Sequence, residues 1–361
     1  MARFSLAALL SSTLLACGGT AAAPAPEKIA APAPTAQAVR PMVPSSSGEQ
    51  KRLMFGTTSA TSSAYTYGVA AAKVINAAVN DVSVTAVESG ASVENINRMA
   101  EGTFHLGFAT TDTAYRAING IEPWSAGKSV KDLRVLWVYN VNAETYIVRE
   151  DSGVQKLEDL QGKDYNPGMR GSATESMARK VLETLGITPK YYVGGTDDAV
   201  QAIKDRRIVG FTKASSAASV DAALLDLTTT TPMRVLSFSQ AQVDQVVAKY
   251  PYFSSTRIPA GVYKAAWNAE PILTMATIPQ VAARAGTLTD EQAYRITKAV
   301  TEDNKPAGAG VQAGGYPPMK GRDLALQTLE NALTPLHAGT QKYFAELGLT
   351  IPEKLKSPEF R

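Results

Sequence analysis

Twice in this chain a short apolar run opens into a hydroxyl-rich loop that feeds an amphipathic helix, and this repeated unit limits the fold more than any other feature. The first loop reads Gly56-Thr57-Thr58-Ser59-Ala60-Thr61-Ser62-Ser63-Ala64-Tyr65. Ala71, Val74, Ile75, Ala78 and Val79 then recur at helical spacing and define one apolar face. The second loop reads Asn166-Pro167-Gly168-Met169-Arg170-Gly171-Ser172-Ala173-Thr174-Glu175, with Met177, Val181, Leu182 and Leu185 on one face behind it. Ser172 and Glu175 have capping-box spacing, and Gly186 is the expected C-terminal stop. A helix start presents unpaired N–H groups and a partial positive charge, to which neighbouring hydroxyls add adjustable donors. Two such ends from two lobes suit one small anion held between them. Taken singly, each loop also reads as an ordinary N-cap.

Around these loops strands and helices alternate. Leu53 to Gly56, Val82 to Val87, Leu106 to Ala109, Arg134 to Tyr139, Thr145 to Val148 and Ile208 to Phe211 are predicted strands. Ser92 is expected to cap a short helix with Val93, Ile96 and Ala100 inward and Gly102 ending it. Asp197 and Asp198 open a helix through Ala199 and Ile203 to Arg206, and Thr289 with Gln292 forms a capping box before Ala293, Ile296 and Val300. This order predicts parallel sheets covered on both faces, with ligand sites at the carboxyl ends of strands, where both loops fall. The globular part, about 310 residues, exceeds what one core usually takes, so two lobes are expected.

The N-terminus has the form of a secretory signal: Arg3, a mostly apolar Leu6 to Leu15, then Leu14-Leu15-Ala16-Cys17. The run is too short to span a bilayer as a mature helix. The tetrapeptide resembles a bacterial lipobox, so residues 1–16 read as a lipoprotein signal peptide and Cys17 as the lipidated residue. The alternative is plain cleavage near Ala22 or Ala23, with Cys17 discarded. Residues 17–50 turn to Ala, Pro, Ser and Thr and hold too few large apolar residues to fold, which predicts an extended, disordered tether. Cys17 is the only cysteine, so no intrachain disulfide is available and the fold rests on its core.

Several function classes are poorly served by the remaining residues. Net charge is +3 with Lys and Arg scattered, which leaves no footprint for nucleic acid. Of the two histidines, His105 lies in a strand-like stretch and reads as half-buried and structural, while His337 sits in a turn before the last helix. Neither a His pair at ligand spacing nor a cysteine cluster exists, so no metal or cofactor is expected. No Gly-x-Ser-x-Gly elbow or phosphate-binding Gly-Lys-Ser/Thr loop occurs, and Asp197-Asp198 and Glu302-Asp303 read as caps or solvated surface. Nothing resembles a nucleophile with its base, and an enzyme is not expected.

Six ordered segments carry a family resemblance. They are Tyr65-Thr66-Tyr67-Gly68, Glu88 to Asn95, Tyr146 to Lys163, Gly171-Ser172-Ala173-Thr174, Ile258 to Tyr263 and Pro335 to Gly339. Together, from about Leu53 to Leu347, the chain resembles the TRAP-associated extracytoplasmic immunogenic (TAXI) solute receptors, which serve tripartite ATP-independent transporters. It departs from that pattern in the first loop, where Ser, Thr and Ala replace most glycines, and at Ala91, which stands where the family has Gly. The resemblance implies an α/β fold: a two-lobed periplasmic substrate-binding protein, type II-like, with crossing strands as hinge. Crossings near Asn140 to Thr145 and near Arg257 to Gly261 would give one lobe from 51–142 with 257–361 and another from 143–256. It also implies a periplasmic or otherwise extracytoplasmic receptor, anchored by lipid, that delivers its solute to TRAP membrane permease subunits. A ligand-presenting partner for a membrane signalling protein is the alternative, since both roles need only ligand-linked closure.

The expected cleft takes Thr57, Thr58, Ser59, Ser62, Ser63, Tyr65, Ser92, Thr110, Thr111 and Asn140 from one lobe. Arg170, Gly171, Ser172, Ala173, Thr174 and Lys213 come from the other, with Lys213 placed directly after a predicted strand. Neutral donors, helix-start N–H groups and two cations with no facing acid in view favour a small anionic solute. A keto acid or C4–C5 dicarboxylate fits best, and glutamate is the runner-up because its ammonium needs a carboxylate partner. If the lipobox reading holds, Cys17→Ser moves the protein from the membrane fraction to the soluble fraction on sedimentation. A serine variant that still pellets with membranes contradicts it.

Overall fold

Short β-rich runs separated by capped helices build two sheets, each sandwiched between helices. The structure is a computed structural model describing residues 50–263 and 268–361. The signal segment, Cys17 and the Ala/Pro-rich tether up to 49 lie outside the described residues.

The first sheet holds β1 (Lys51–Gly56), β2 (Val82–Val87), β3 (Leu106–Thr110), β4 (Leu133–Val138) and, from late in the chain, β12 (Pro279–Arg284), in the order β2-β1-β3-β12-β4. The second sheet holds β5 (Asn142–Arg149), β6 (Asp164–Asn166), β7 (Lys190–Tyr191), β8 (Gly210–Ser216), β10 (Ser254–Ile258) and β11 (Ile272–Thr277), in the order β10-β11-β5-β8-β6-β7, and β9 (Met233–Val235) pairs with β5. The first sheet is covered by α1 (Ser63–Ala78), α2 (Ser92–Ala100), α3 (Thr111–Asn119) and the C-terminal helices α8 (Asp290–Asp303), α9 (Val311–Gly315), α10 (Leu324–Asn331) and α11 (Ala338–Glu346). The second is covered by α4 (Ala173–Thr184), α5 (Thr196–Lys204), α6 (Ala222–Thr230) and α7 (Gln240–Lys249).

This is the expected α/β class with two lobes and crossing strands, but the sheets are mixed rather than parallel. β1 pairs parallel with β2 and β3, whereas β12 runs antiparallel to β3 and β4, and β5 runs antiparallel to β8, β9 and β11. The reason is topological. The antiparallel strands are those next to the crossings, where the chain changes sheets without a helical crossover to turn it round. The first crossing falls between Val138 and Asn142, so it overlaps the expected Asn140 to Thr145 only at its start. The second does not fall near Arg257 to Gly261. There β10 pairs residue by residue with β11, so both remain in the second sheet, and the chain returns only between Thr277 and Pro279.

Local signals placed the helix starts well. Thr289 and Gln292 close a full capping box on α8. Ser62 caps α1 by accepting from the Ala64 N–H, and Ser172 caps α4 by accepting from the Glu175 N–H at 3.0 Å. The Glu175 carboxylate takes the Gly171 N–H rather than that of Ser172, so this second box is displaced by one residue. Ser92 is not a cap. It is the first helical residue of α2, and Ala91 holds the cap position with φ 66°.

The first lobe's core centres on Tyr67. Its ring stacks on Tyr139 at 4.0 Å, its hydroxyl accepts from Trp137 Nε1 at 2.7 Å, and it donates to Gln312 Oε1 at 3.0 Å. This ties α1 to β4 and to α9, and burial pushes the phenol well above its ordinary pKa, so it stays a neutral donor. Tyr67→Phe keeps the ring and leaves two buried partners unpaired, which costs about 1–3 kcal/mol by the desolvation of groups left without a bond. Chemical denaturation should report a lower midpoint with an unchanged slope. A midpoint equal to wild type means that the Trp137 and Gln312 groups find other partners.

Candidate functional site

The carboxyl ends of β1 and β6 both run into the hydroxyl-rich loops, and the starts of α1 and α4 meet between the two sheets. A cavity of about 90 Å³ lies there. Its walls come from both lobes: Thr58, Ser62, Ala91, Ser92, Phe108, Thr110 and Tyr139 on one side, and Met169, Ser172, Ala173, Thr174, Thr196, Thr212 and Lys213 on the other. Asn142, Thr277 and Pro279 close it at the crossings.

Eight of the residues expected from sequence line this cavity: Thr58, Ser62, Ser92, Thr110, Ser172, Ala173, Thr174 and Lys213. The others are held elsewhere by identifiable bonds. Thr57 is buried and donates to the Val87 carbonyl at 2.6 Å. Ser59 pairs with Thr61, and Ser63 accepts from the Ala222 N–H at 2.9 Å. Thr111 donates its N–H to the Ile278 carbonyl at a crossing. Asn140 donates to Asn142 and to the Tyr316 hydroxyl. The Gly171 carbonyl accepts from the Val93 N–H across the cleft. Tyr65 is half-buried and Arg170 is exposed, and neither is among the lining side chains. Among the described residues Lys213 is therefore the one charged side chain in the cavity wall, where two cations were expected. It does not follow a strand: β8 extends to Ser216, so Lys213 stands in its middle.

The Glu88-to-Asn95 segment acts as scaffold for the first loop. Buried Asn95 donates to the Thr57 and Phe108 carbonyls at 2.9 and 3.0 Å and accepts from Ser89 Oγ at 2.7 Å. The Glu88 carboxylate takes the Ala60 N–H. Ala91, in the cavity wall, has φ 66° and ψ −149°, a region almost reserved for glycine and costing on the order of 1–3 kcal/mol. Its N–H, bonded to Ser89 Oγ, and the Asn95 N–H that bonds its carbonyl hold it there.

Two acids at the site were missed. Asp221 caps α6 and stands 3.8 Å from Lys213, so the cation does face an acid. The signal was present, because an aspartate directly before the apolar Ala222-Ala223-Leu224-Leu225 is an N-cap pattern. Glu144 lies in β5, every residue of which is buried. The strand was expected to begin only at Thr145, which left Glu144 outside it. Its Oε1 accepts from Thr174 Oγ1 at 3.0 Å, while Oε2 has no hydrogen-bond partner among the described residues. Asp112 Oδ1 is likewise unpartnered, and Asp112 lies 3.7 Å from the fully buried Arg116. Burial pushes the Glu144 carboxyl up to about 7, a rise opposed by Thr277, Thr174 and Lys213 and reinforced by Asp112.

Neither histidine lines the cavity. His105 Nδ1 accepts from the Met54 N–H, and His337 Nδ1 accepts from the Gly339 N–H at the start of α11. Among the described residues no group of three or more His, Cys, Asp and Glu could hold a metal ion, and no helix is long and apolar enough to cross a membrane.

The raised Glu144 pKa has a definite sign in stability. The folded state prefers the protonated acid, so stability is fully present below the unfolded value near 4.5 and is lost as pH rises to about 7. The loss amounts to something on the order of 3 kcal/mol for a buried group shifted this far. Glu144→Gln should remove this slope in denaturation measured from pH 4.5 to 8, whatever its effect at any single pH. An identical slope in the variant assigns the pH dependence elsewhere.

Comparison with known proteins places this geometry in a family. Residues 55–348 match the model of the NMT1-like family. Among solved structures, the chain is similar to the periplasmic aliphatic sulphonate binding protein SsuA from Escherichia coli, at 15% identity over 84% of this chain and 95% of that one, with a TM-score of 0.42. It is also similar to a binding protein component of an ABC phosphonate transporter from Pseudomonas aeruginosa, at 11% identity over 75% and 80% of the two chains, with a TM-score of 0.47. The ligand binding component of an ABC-type import system from Staphylococcus aureus matches at 10% identity over 86% and 97%, with a TM-score of 0.46. With a match running from the first strand to the last helix, the chain belongs to the NMT1-like family.

Proposed function

We propose that this protein is an extracytoplasmic solute receptor that captures a small carboxylate between its lobes and delivers it to a TRAP-type membrane permease. The observation carrying this reading is the cavity between the two sheets, which joins hydroxyls of the first loop to the start of α4 and to Lys213. Backbone N–H groups at helix starts, hydroxyl donors and one ammonium recognise carboxylate oxygens without needing a full counter-charge. The volume of about 90 Å³ suits a compact solute held with little water. The likeness to TAXI receptors supports the TRAP partner, and the lipobox-like Leu14 to Cys17 supports a membrane-tethered receptor outside the cytoplasm. The binding role belongs to the lining residues Thr58, Ser62, Ser92, Thr110, Ser172, Ala173, Thr174 and Lys213.

A second ligand reading is favoured by the acids behind the wall. Glu144, bonded from behind the wall to the lining Thr174, is the acid that an amino-acid ammonium would call on. Glutamate therefore stands beside the keto acids and C4–C5 dicarboxylates. Titration calorimetry of 2-oxoglutarate, succinate and L-glutamate separates these, with Lys213→Ala as the control. Loss of a desolvated charge partner should cost roughly 2–5 kcal/mol, about thirtyfold or more in Kd. Bound solute should also raise Tm by mass action and lower the radius of gyration. Unchanged affinity in Lys213→Ala, or selective uptake of a neutral sugar, rules out the carboxylate assignment.

A further inference from the structure

The start of α1 is already occupied by an anion, and that anion belongs to the protein. Asp221 Oδ2 accepts from the Ser63 N–H at 3.2 Å and from Ser62 Oγ at 3.4 Å, both in the opposite lobe. Its Oδ1 caps α6 through the Ala223 N–H at 3.0 Å. The exchange is reciprocal, since the Ala222 N–H donates to Ser63 Oγ at 2.9 Å. Two helix starts from two lobes thus face each other, and each caps the other with its own side chain. Lys213 closes the cluster, with Nζ 3.8 Å from Asp221 and 3.3 Å from Ser62 Oγ.

The Asp221 side chain is only 4% exposed, so this pairing is shielded from solvent screening. A carboxylate between two helix amino ends and an ammonium is favourable in that setting, whereas separating the lobes would leave Ser63 N–H and Ser62 Oγ without it. Ser62 and Lys213 line the cavity and Asp221 does not, so the acid sets the positions of both lining groups from behind.

We propose that Asp221 is an interlobe latch and positioning residue, which keeps the cleft closed in a substantial fraction of molecules before solute arrives and pre-sets Ser62 and Lys213 for binding. The inference rests on the receptor reading, in that it assumes lobes that open and close. In a receptor without such a latch the solute itself supplies most of the glue between lobes. Here the anion position at α1 is filled internally, so a solute carboxylate is left with Lys213 and the start of α4. The closed fraction of the free protein then scales the apparent affinity directly.

The test needs no solute. Spin labels at Lys128→Cys and Gln201→Cys, both exposed, report the interlobe distance in a Cys17→Ser background. The chain has no other cysteine, and unfolding and refolding before the measurement is the step that strips carried-over solute. Asp221→Asn keeps a good α6 cap but removes the charge. Its closed-to-open ratio should fall roughly tenfold or more, as expected for loss of hydrogen bonds to a buried charged acceptor. Ser63→Ala should shift the ratio in the same direction by less. An unchanged distance distribution in Asp221→Asn overturns the latch, as does a solute-free wild type that is fully open. Failure of the solute panel to close wild type would instead overturn the receptor reading, and the comparison of the two solute-free proteins is unaffected by it.

Discussion

The structure depends on how the chain passes between its two sheets. It crosses once from β4 to β5 and once from β11 to β12, and the strands on either side of these crossings are locked in place by their neighbours. Ala276 pairs with Ala143 on the second sheet, and Gln280 pairs with Val138 on the first. Only short stretches at 139–141 and at 278 belong to neither ladder. A relative motion of the lobes has to be taken up there, because the strands flanking both gaps are fully paired and buried. Tyr139, in the first gap, lines the cavity together with Asn142, Thr277 and Pro279, the strand ends that border the two gaps. A change in how the cavity is filled is therefore felt at the hinge directly.

The parts legible in the sequence were those decided within a few residues. The capped starts of α1, α4 and α8 follow from Ser62, Ser172 and Thr289, whose side chains bond the backbone of their own helix. What could not be seen locally was decided by distant partners. β12 enters the first sheet beside β3 about 170 residues away, and nothing near Pro279 says so. The second crossing, implied by the resemblance near Arg257 to Gly261, lies later because β10 pairs with β11 and keeps both in the second sheet. The strand predicted over Ile208 to Phe211 stops short of Lys213, yet pairing with β5 carries β8 on to Ser216.

The site shows a second kind of limit. Hydroxyl-rich helix starts were read as free donors for an outside anion, which is sound for a helix end considered alone. The folded chain supplies acids of its own. Asp221 takes the α1 start, Asp197 accepts from Thr61 Oγ1 at 2.9 Å, and Glu175 takes the Gly171 N–H. A helix start is open to a ligand only after every carboxylate the fold brings near has been counted. That count depends on tertiary contacts which composition and spacing do not reveal.

The same accounting explains why a single lysine in the wall is enough. Buried charges cost several kcal/mol each unless paired, so a small cavity cannot hold several free cations. Lys213 is tolerated because Asp221 stands behind it and Ser62 accepts from it. Glu144 is tolerated by the opposite device: burial pushes its pKa up to about 7, which lets it stay neutral where no full counter-charge reaches it. One group is paired with an acid, and the other has its ionisation weakened by burial. The cavity wall consequently carries Lys213 as its charged group, while Glu144 stays behind the wall and touches it through Thr174.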